Sequence, residues 1–297
     1  MLQDVSFYIT NVCNLTCDNC ATYNNYQLKG HYKYADSALA VEQWSKLINM
    51  EHLHIHGGEP FSNPDLPNWT RNIRRLWPDN IIKITTNGTM LAQHAEFVKE
   101  CITQSIIIEI AVHDPALWDG IEQTVLDILK GFDYTVEVEA NTDFSRGDLG
   151  NYESYVKHFK DPTGLDLFTM EQAYEFMPSS IDRIENSVIY MRRSDREIAH
   201  SNCYISQCNY IINGRLYKCK TTAMSDILHR NFAVNNECQE ILSASKSVLP
   251  TDSDVMEFLQ SLGKSIEQCR LCPETPVNNM IKIHPLSPKK PYLPRIS

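Results

Sequence analysis

Hydrophobic positions along this chain follow two periods that take turns. HLHIH (52–56), IIKITTNGT (81–89), SIIIEIAVHDP (105–115), TVEVEANTD (135–143) and LDLFTM (165–170) are β-branched runs or alternate apolar with polar residues, and SFYIT near the start behaves alike. Such runs read as strands, because successive side chains of an extended chain face opposite sides. Between them, SALAVEQWSKLI (37–48), DLPNWTRNIRRLW (65–77), LAQHAEFVKEC (91–101), ALWDGIEQTVLDILKGF (116–132) and NYESYVKHF (151–159) space apolar residues three to four apart. That is the period of a helix. Asp36 with Ser37, and Asn63 before Pro64-Asp65, are helix-start signals. Strand and helix alternate about six times, which predicts an α/β fold with a parallel sheet and outer helices. Such sheets present ligands at the strand C-termini. Beyond about residue 185 the rhythm changes. There NYIINGRLYKC reads as a β-hairpin: Tyr210, Ile211 and Ile212, a turn at Asn213-Gly214, then Leu216 and Tyr217.

The chemistry-bearing residues sit at the predicted strand ends. Cys13, Cys17 and Cys20 follow SFYIT with the spacing C-x3-C-x2-C. Three thiolates on one short loop can hold three irons of a [4Fe–4S] cube and leave the fourth open to chelate a small molecule. The rival readings are a zinc site and a disulfide framework. Four-cysteine zinc sites usually come as C-x2-C pairs, and this motif has no close fourth ligand. Disulfide frameworks suit short secreted chains, whereas this one has 297 residues and no N-terminal apolar signal stretch. Gly57-Gly58-Glu59-Pro60 closes the second strand. Glycines without a Cβ let a ligand lie against the backbone. A carboxylate there can accept hydrogen bonds from an ammonium group.

A GGEP turn about forty residues after C-x3-C-x2-C resembles the radical S-adenosylmethionine (SAM) superfamily. The resemblance implies a partial (β/α)6 TIM-like barrel, open on one side to admit substrate. It implies a [4Fe–4S] cluster on Cys13, Cys17 and Cys20 whose open iron binds the methionine moiety of SAM. One electron then cleaves SAM to methionine and a 5′-deoxyadenosyl radical, which abstracts a substrate hydrogen. Gly57, Gly58 and Glu59 match the GGEP motif that binds the SAM amino group, and Thr86 and Asn87 match a TNG strand end near SAM. Asn141, at the exit of the 135–143 strand, is a further SAM contact. Two departures stand out. Asn19 occupies a position that is usually aromatic. Aligning Asp114-Pro115 with the family's GP puts Ala111 where relatives often carry a ribose-contacting Ser, and His113 where they carry an Asp. Glu109 shares their side of the strand and is the candidate substitute.

Cysteines reappear in NCYISQCNYIINGRLYKCK (202–220) and EQCRLCPE (267–274). C-x10-G-x4-C with a later C-x2-C resembles the twitch domain, a shortened SPASM extension that holds an auxiliary [4Fe–4S] cluster. By that match the ligands are Cys203, Cys219, Cys269 and Cys272. A structural zinc is the rival, since a hairpin plus C-x2-C is also a zinc-ribbon pattern. Cys208 has three readings: a buried structural thiol, a ligand in place of Cys203, or a free thiol that returns a hydrogen atom to a substrate radical. Cys101 and Cys238 read as packed thiols. The expected division is a barrel core over 1–185, a cluster-binding extension of β-hairpin plus helix over 186–283, and a proline-rich basic tail over 284–297.

Composition narrows the class of partner. Net charge is −10, against a phosphate-backbone binder. Mean hydropathy is −0.34, ordinary for a globular enzyme. No apolar run approaches eighteen residues, so nothing is expected to span a membrane, and ten free-style cysteines suit a reducing cytoplasm. The expected electron donor is a flavodoxin or ferredoxin. IRRLW (73–77), Arg192-Arg193 and the KKPYLPR tail are candidate docking patches or solvated faces. No leader-binding domain precedes the first strand, which tilts the expectation toward a small-molecule substrate dehydrogenated with the auxiliary cluster as electron acceptor. A peptide maturase forming thioether or carbon–carbon links, or epimerising a residue, is the alternative. A non-catalytic iron–sulfur redox sensor is a third. Glu139, Asp143, Arg146 and Arg192 are candidate substrate-facing residues.

Overall fold

The computed structural model describes residues 2–140, 155–176, 180–186, 188–203, 208–274 and 281–282. Four β/α units open the chain. They are β1 (Leu2–Tyr8) with α1 (Tyr34–Leu47), β2 (Met50–His56) with α2 (Leu66–Leu76), β3 (Ile81–Thr86) with α3 (Ala95–Thr103), and β4 (Ile106–Val112) with α4 (Trp118–Ile128). Then come β5 (Thr135–Ala140), β6 (Tyr155–Lys160), β7 (Asp166–Gln172), β8 (Glu175–Phe176), β9 (Ile181–Glu185) and β10 (Val188–Met191). The remainder comprises α5 (Arg196–Ser201), β11 (Cys208–Ile212), β12 (Arg215–Tyr217), α6 (Lys220–Asn231), α7 (Asn236–Ser243), β13 (Ser247–Val248), α8 (Val255–Ser261) and β14 (Ile281–Lys282).

One sheet of ten strands runs in the order β13-β12-β11-β1-β2-β3-β4-β7-β6-β5. Its centre, from β11 through β1, β2, β3 and β4 to β7, is parallel. Both flanks are antiparallel. Among the described residues the sheet does not close, as an open partial barrel requires. Alternation sorts its two faces. Val5, Phe7, Leu53, Ile55, Ile82, Ile84, Ile108 and Ile110 are buried in one apolar core with Val41, Trp44, Trp69, Ile73, Val98 and Val125 from the helices. The opposite face of the same strands carries Asp4, His52, His54, Lys83, Thr85 and Glu109.

Two details differ from the reading of the periodicity. The stretch 151–159 was expected as a helix, but its described part is strand β6, antiparallel to both β5 and β7. Phe159 is fully buried there, its ring 6.4 Å from that of Phe168. The sheet supplies that burial, and it outweighs a weak helical spacing. The 135–143 run does form a strand, yet β5 is the sheet edge, and β7 takes the place beside β4. Helix α1 also starts before Asp36. The Asp65 carboxylate accepts a 2.6 Å hydrogen bond from the Tyr34 backbone N–H, capping the helix from a distant segment.

The predicted hairpin is present. Ile212 pairs with Arg215 across a two-residue turn, and Asn213 (φ 49°) and Gly214 (φ 78°) both adopt the left-handed region that such a turn requires. Trp44 Nε1 donates a buried 2.8 Å hydrogen bond to the Gly214 carbonyl, fastening the turn to α1. Strand β11 pairs directly with β1, so the C-terminal hairpin extends the same sheet.

Candidate functional site

The loop after β1 carries Cys13, Cys17 and Cys20, and the strand ends beside it hold it in place. Gly58 N and Glu59 N donate to the Thr10 and Val12 carbonyls at 2.9 and 2.8 Å. A Cβ on Gly57 would stand 2.7 Å from Thr10 Cγ2 and 2.8 Å from the Thr10 oxygen, and one on Gly58 would overlap the Val12 carbonyl. The sequence suggested that these glycines make room for a ligand. In the structure the side of each glycine where a Cβ would stand faces the chain's own loop at Thr10 and Val12.

Glu59 is fully buried. Its carboxylate accepts from Phe61 N at 3.0 Å, Thr86 Oγ1 at 2.8 Å and Asn87 N at 2.9 Å. It therefore ties the end of β2 to the end of β3, and its three donors leave one acceptor position, on Oε2, for a further donor such as an ammonium group. Burial raises its pKa, while the donors from Asn87, Thr86 and Phe61 act the other way. Asn87 reaches across to the loop, its Nδ2 2.9 Å from Asn14 Oδ1 and 3.9 Å from Cys13 Sγ. Asn14 in turn donates to Thr89 Oγ1 at 2.7 Å. Asn24 Nδ2 closes the loop from behind, 2.7 Å from the Asn11 carbonyl and 3.2 Å from Tyr8 Oη. Asn19 sits in the left-handed region at φ 61°, a conformation asparagine tolerates better than most side chains.

None of the ten cysteines is joined in a disulfide. Burial pushes Cys13 and Cys17 up to about 12, and the neighbouring thiols push the same way. Buried thiols such as Cys13 and Cys17 ionise together only around a shared positive charge, which the irons of a cluster would supply. The donor set fits a cube with one open iron.

The second set gathers around the start of α6. Cys219 is the residue that precedes this helix. Cys269 and Cys272 lie at the turn Glu267–Leu271, with Thr221 Oγ1 3.3 Å from Cys272 Sγ. Cys272 is pushed up to about 12 by burial, and the charges that add to this belong to Cys219, Cys203 and Cys269. These four cysteines therefore share one neighbourhood. Cys208 sits on β11 in register with Asp4, its sulfur 4.0 Å from Asp4 Oδ2. Burial and the Asp4 carboxylate hold its thiol protonated, with a pKa of about 11. Among the described residues no three His, Cys, Asp or Glu side chains converge closely enough for a single metal ion.

Several features were not foreseen in the sequence. On the open face of the sheet, Asp4 Oδ1 lies 3.1 Å from His52 Nδ1 and 3.6 Å from His54 Nε2, and His54 Nδ1 lies 3.8 Å from Glu109 Oε2. Lys83 Nζ (3.1 Å) and Thr85 Oγ1 (2.8 Å) complete the shell of Glu109. Burial alone would raise the Glu109 pKa, but His54 and Lys83 hold it well below the usual range. Glu109 is thus engaged within this network. The signal was the HLHIH alternation, which puts three histidines on one side of a strand. Ala111 and His113 follow Glu109 on the same side, and His113 Nδ1 lies 3.1 Å from the Ala173 carbonyl.

Other candidates are dispersed. Glu139 is exposed on the edge strand β5, 3.9 Å from His158 Nε2. Arg192 Nε is buried without a hydrogen-bond partner among the described atoms. Asn141, Asp143, Arg146 and the 284–297 tail lie outside the described residues. Arg74 is spent on the carbonyls of Trp77, Pro78, Asn80 and Ser105, and Arg75 pairs with Glu42. Arg193 pairs with Glu237. Cys101 and Cys238 are packed in apolar cores. Among the described residues no helix is long and apolar enough to cross a membrane.

An open parallel sheet with a three-cysteine loop docked on the C-terminal ends of β2 and β3 defines the class. Residues 7–138 match the Radical SAM superfamily, and over this segment the chain is a radical SAM domain. Among curated proteins it is similar to the probable GTP 3′,8-cyclase of Methanococcus maripaludis, at 28% identity over 134 residues covering 44% of each chain. It is also similar to the GTP 3′,8-cyclase of Staphylococcus saprophyticus, at 23% identity over 174 residues covering 54% of this chain and 51% of that one. The chain spans about half the length of the curated relatives it matches. Among solved structures, that of BtrN in complex with AdoMet and 2-DOIA superposes with a TM-score of 0.47 at 15% identity, covering 95% of this chain and 99% of that one.

Proposed function

We propose that this chain is a radical SAM enzyme that oxidises or rearranges a small polar substrate and carries a second, fully ligated [4Fe–4S] cluster as electron acceptor. The observation that carries the reading is the loop of Cys13, Cys17 and Cys20 clamped by Gly57, Gly58 and Asn87 at the strand ends. When bound, the first cluster supplies the electron that cleaves SAM, yielding a 5′-deoxyadenosyl radical able to take a hydrogen atom from substrate. The protein's part is to hold three thiolates and leave the fourth iron open. Gly57, Gly58, Thr86 and Asn87 frame the place for the SAM methionine moiety, and Glu59 keeps that frame rigid. Cys203, Cys219, Cys269 and Cys272 would hold the second cluster, which accepts one electron when the substrate radical is oxidised. Residues 186–283 then form an extension built onto β1, and Cys208 remains a neutral thiol beside Asp4, suited to donate a hydrogen atom.

Cyclisation of GTP is a second reading, favoured by the names of the curated relatives. Their similarity lies in the half that handles SAM. GTP added to the reconstituted protein should accelerate 5′-deoxyadenosine release if that reading holds.

The test is iron content with SAM cleavage. Wild type should hold about eight irons per chain, and Cys17→Ala about four with no 5′-deoxyadenosine released. SAM cleavage by Cys17→Ala sinks the assignment.

A further inference from the structure

Lys218 lies between the hairpin and α6, directly before Cys219. Its backbone is fixed, since the carbonyl accepts a buried 2.6 Å hydrogen bond from Asn209 Nδ2. Its side chain is only 5% exposed, and Nζ is buried with no hydrogen-bond partner among the described atoms. A buried lysine nitrogen with nothing to donate to is costly whether charged or neutral, so such a group points to an acceptor that the described protein atoms do not provide. Burial lowers the Lys218 pKa, and Cys269, Cys219 and Cys203, then Glu197, act the other way. Glu197 is on the far side of the balance, because Ser265 Oγ and Arg196 already occupy it at 2.8 and 2.9 Å. Three of the four proposed ligands of the second cluster thus act on one buried lysine nitrogen that lacks a hydrogen-bond partner among the described atoms.

We propose that Lys218 is a positioning residue for the second cluster: its ammonium donates to the cluster's sulfur atoms, and its charge raises the cluster's reduction potential. The inference rests on the two-cluster reading above. A cube with four thiolates gains one negative charge when it takes up one electron. A fixed positive charge beside it favours that reduced state. Hydrogen bonds to the sulfurs act in the same direction. An acceptor tuned in this way can take an electron from a carbon-centred substrate radical.

The experiment uses the full chain with Cys13, Cys17 and Cys20 replaced by Ala, so that the second cluster is the sole signal. Iron is counted, and the cluster is titrated through its redox midpoint with mediator dyes, in three forms: Lys218 retained, Lys218→Gln and Lys218→Met. The expected parent holds about four irons per chain. Lys218→Met should shift the oxidised-to-reduced ratio at fixed potential at least tenfold toward oxidised, about 59 mV to lower potential for one electron. Lys218→Gln, which keeps a donor and loses the charge, should fall between. A loaded cluster with an unchanged midpoint in Lys218→Met overturns the proposal and leaves the two-cluster reading intact. Loss of iron from both variants makes Lys218 a structural requirement and overturns the tuning role. A parent without iron removes the second cluster itself, and the proposal with it.

Discussion

Gly58→Ala tests how the cysteine loop is held. A Cβ at this position would overlap the Val12 carbonyl, approach Val12 C to 2.7 Å, and stand 3.0 Å from Asn24 Nδ2. Ordinary contact begins near 3.4 Å, and the obstacles are mainly backbone, so the loop itself must withdraw. Withdrawal stretches the hydrogen bonds Gly58 N–Thr10 O (2.9 Å) and Glu59 N–Val12 O (2.8 Å). At about 1 kcal/mol for each bond, plus about 1–3 kcal/mol for the overpacking, the loss comes to roughly 3–5 kcal/mol at its upper end. Domains of this kind have about 5–15 kcal/mol to lose, so the chain still folds. The damage concentrates on Cys13, one residue from Val12. Urea denaturation of the apo protein gives the stability change, and iron per chain after anaerobic reconstitution gives the site change. Gly120→Ala is the control. Its Cβ meets nothing within 4 Å, the residue is exposed on α4, and alanine should stabilise the helix by about 0.5–1 kcal/mol. The expected result is a less stable Gly58→Ala protein that loses the first cluster and keeps the second. Wild-type stability together with full iron would refute the claim that these glycines exist to seat the loop.

His56 should make the protein acid-sensitive. Burial, then the positive charges of Lys220 and His54, hold its pKa at about 3, against about 6.5 in an unfolded chain. The unfolded state therefore binds the extra proton first, so this stability is complete above about pH 6.5 and is lost as pH falls toward 3, by at most about 1.4 kcal/mol per pH unit. Urea midpoints at pH 7 and pH 5 should differ less in His56→Phe than in wild type, and equal differences would remove the attribution. Cys101 is a packed thiol on α3 at 1% exposure, so Cys101→Ser should cost about 1–3 kcal/mol through a buried hydroxyl and leave the iron count unchanged. A drop in iron would make it a ligand.

The parts of the fold that were legible are those whose burial follows from local spacing. Ile81–Thr86 and Ile106–Val112 become central strands because one face meets the helices whichever neighbour sits alongside. Asn213-Gly214 is legible for a local reason too, since few residues accept two successive left-handed conformations. Where the outcome depended on a distant partner, spacing misled. Tyr155–Lys160 is a strand because β5 and β7 flank it, and the β5 sequence says nothing about lying at an edge. At the site, the cysteines and the GGEP and TNG turns were visible as rare residue types in order. Their division of labour was not. Whether Glu59 faces a ligand or Thr86 depends on the loop-to-strand register, and Gly58 reads the same whether ligand or backbone fills its space.

The cysteine loop is also fastened on the other side. Just after Cys20, Tyr23 and Tyr26 join a second apolar core with Tyr210, Phe232 and Leu271. The Tyr26 and Phe232 ring centroids are 6.0 Å apart, meeting edge to face. Leu271 lies between Cys269 and Cys272, so one packed core holds the flanks of both cysteine sets. Burial lowers the pKa of Lys220, one residue past Cys219, and thiols of both sets, Cys20 with Cys208, Cys272 and Cys219, act the other way. Aromatic packing of this kind yields little to a change of charge, because close-packed interiors resist small displacements. The separation between the two cysteine sets is therefore set by the core beneath them. An extension with no pairing to β1 would lack this property, and the β1–β11 ladder explains why the hairpin is built into the sheet.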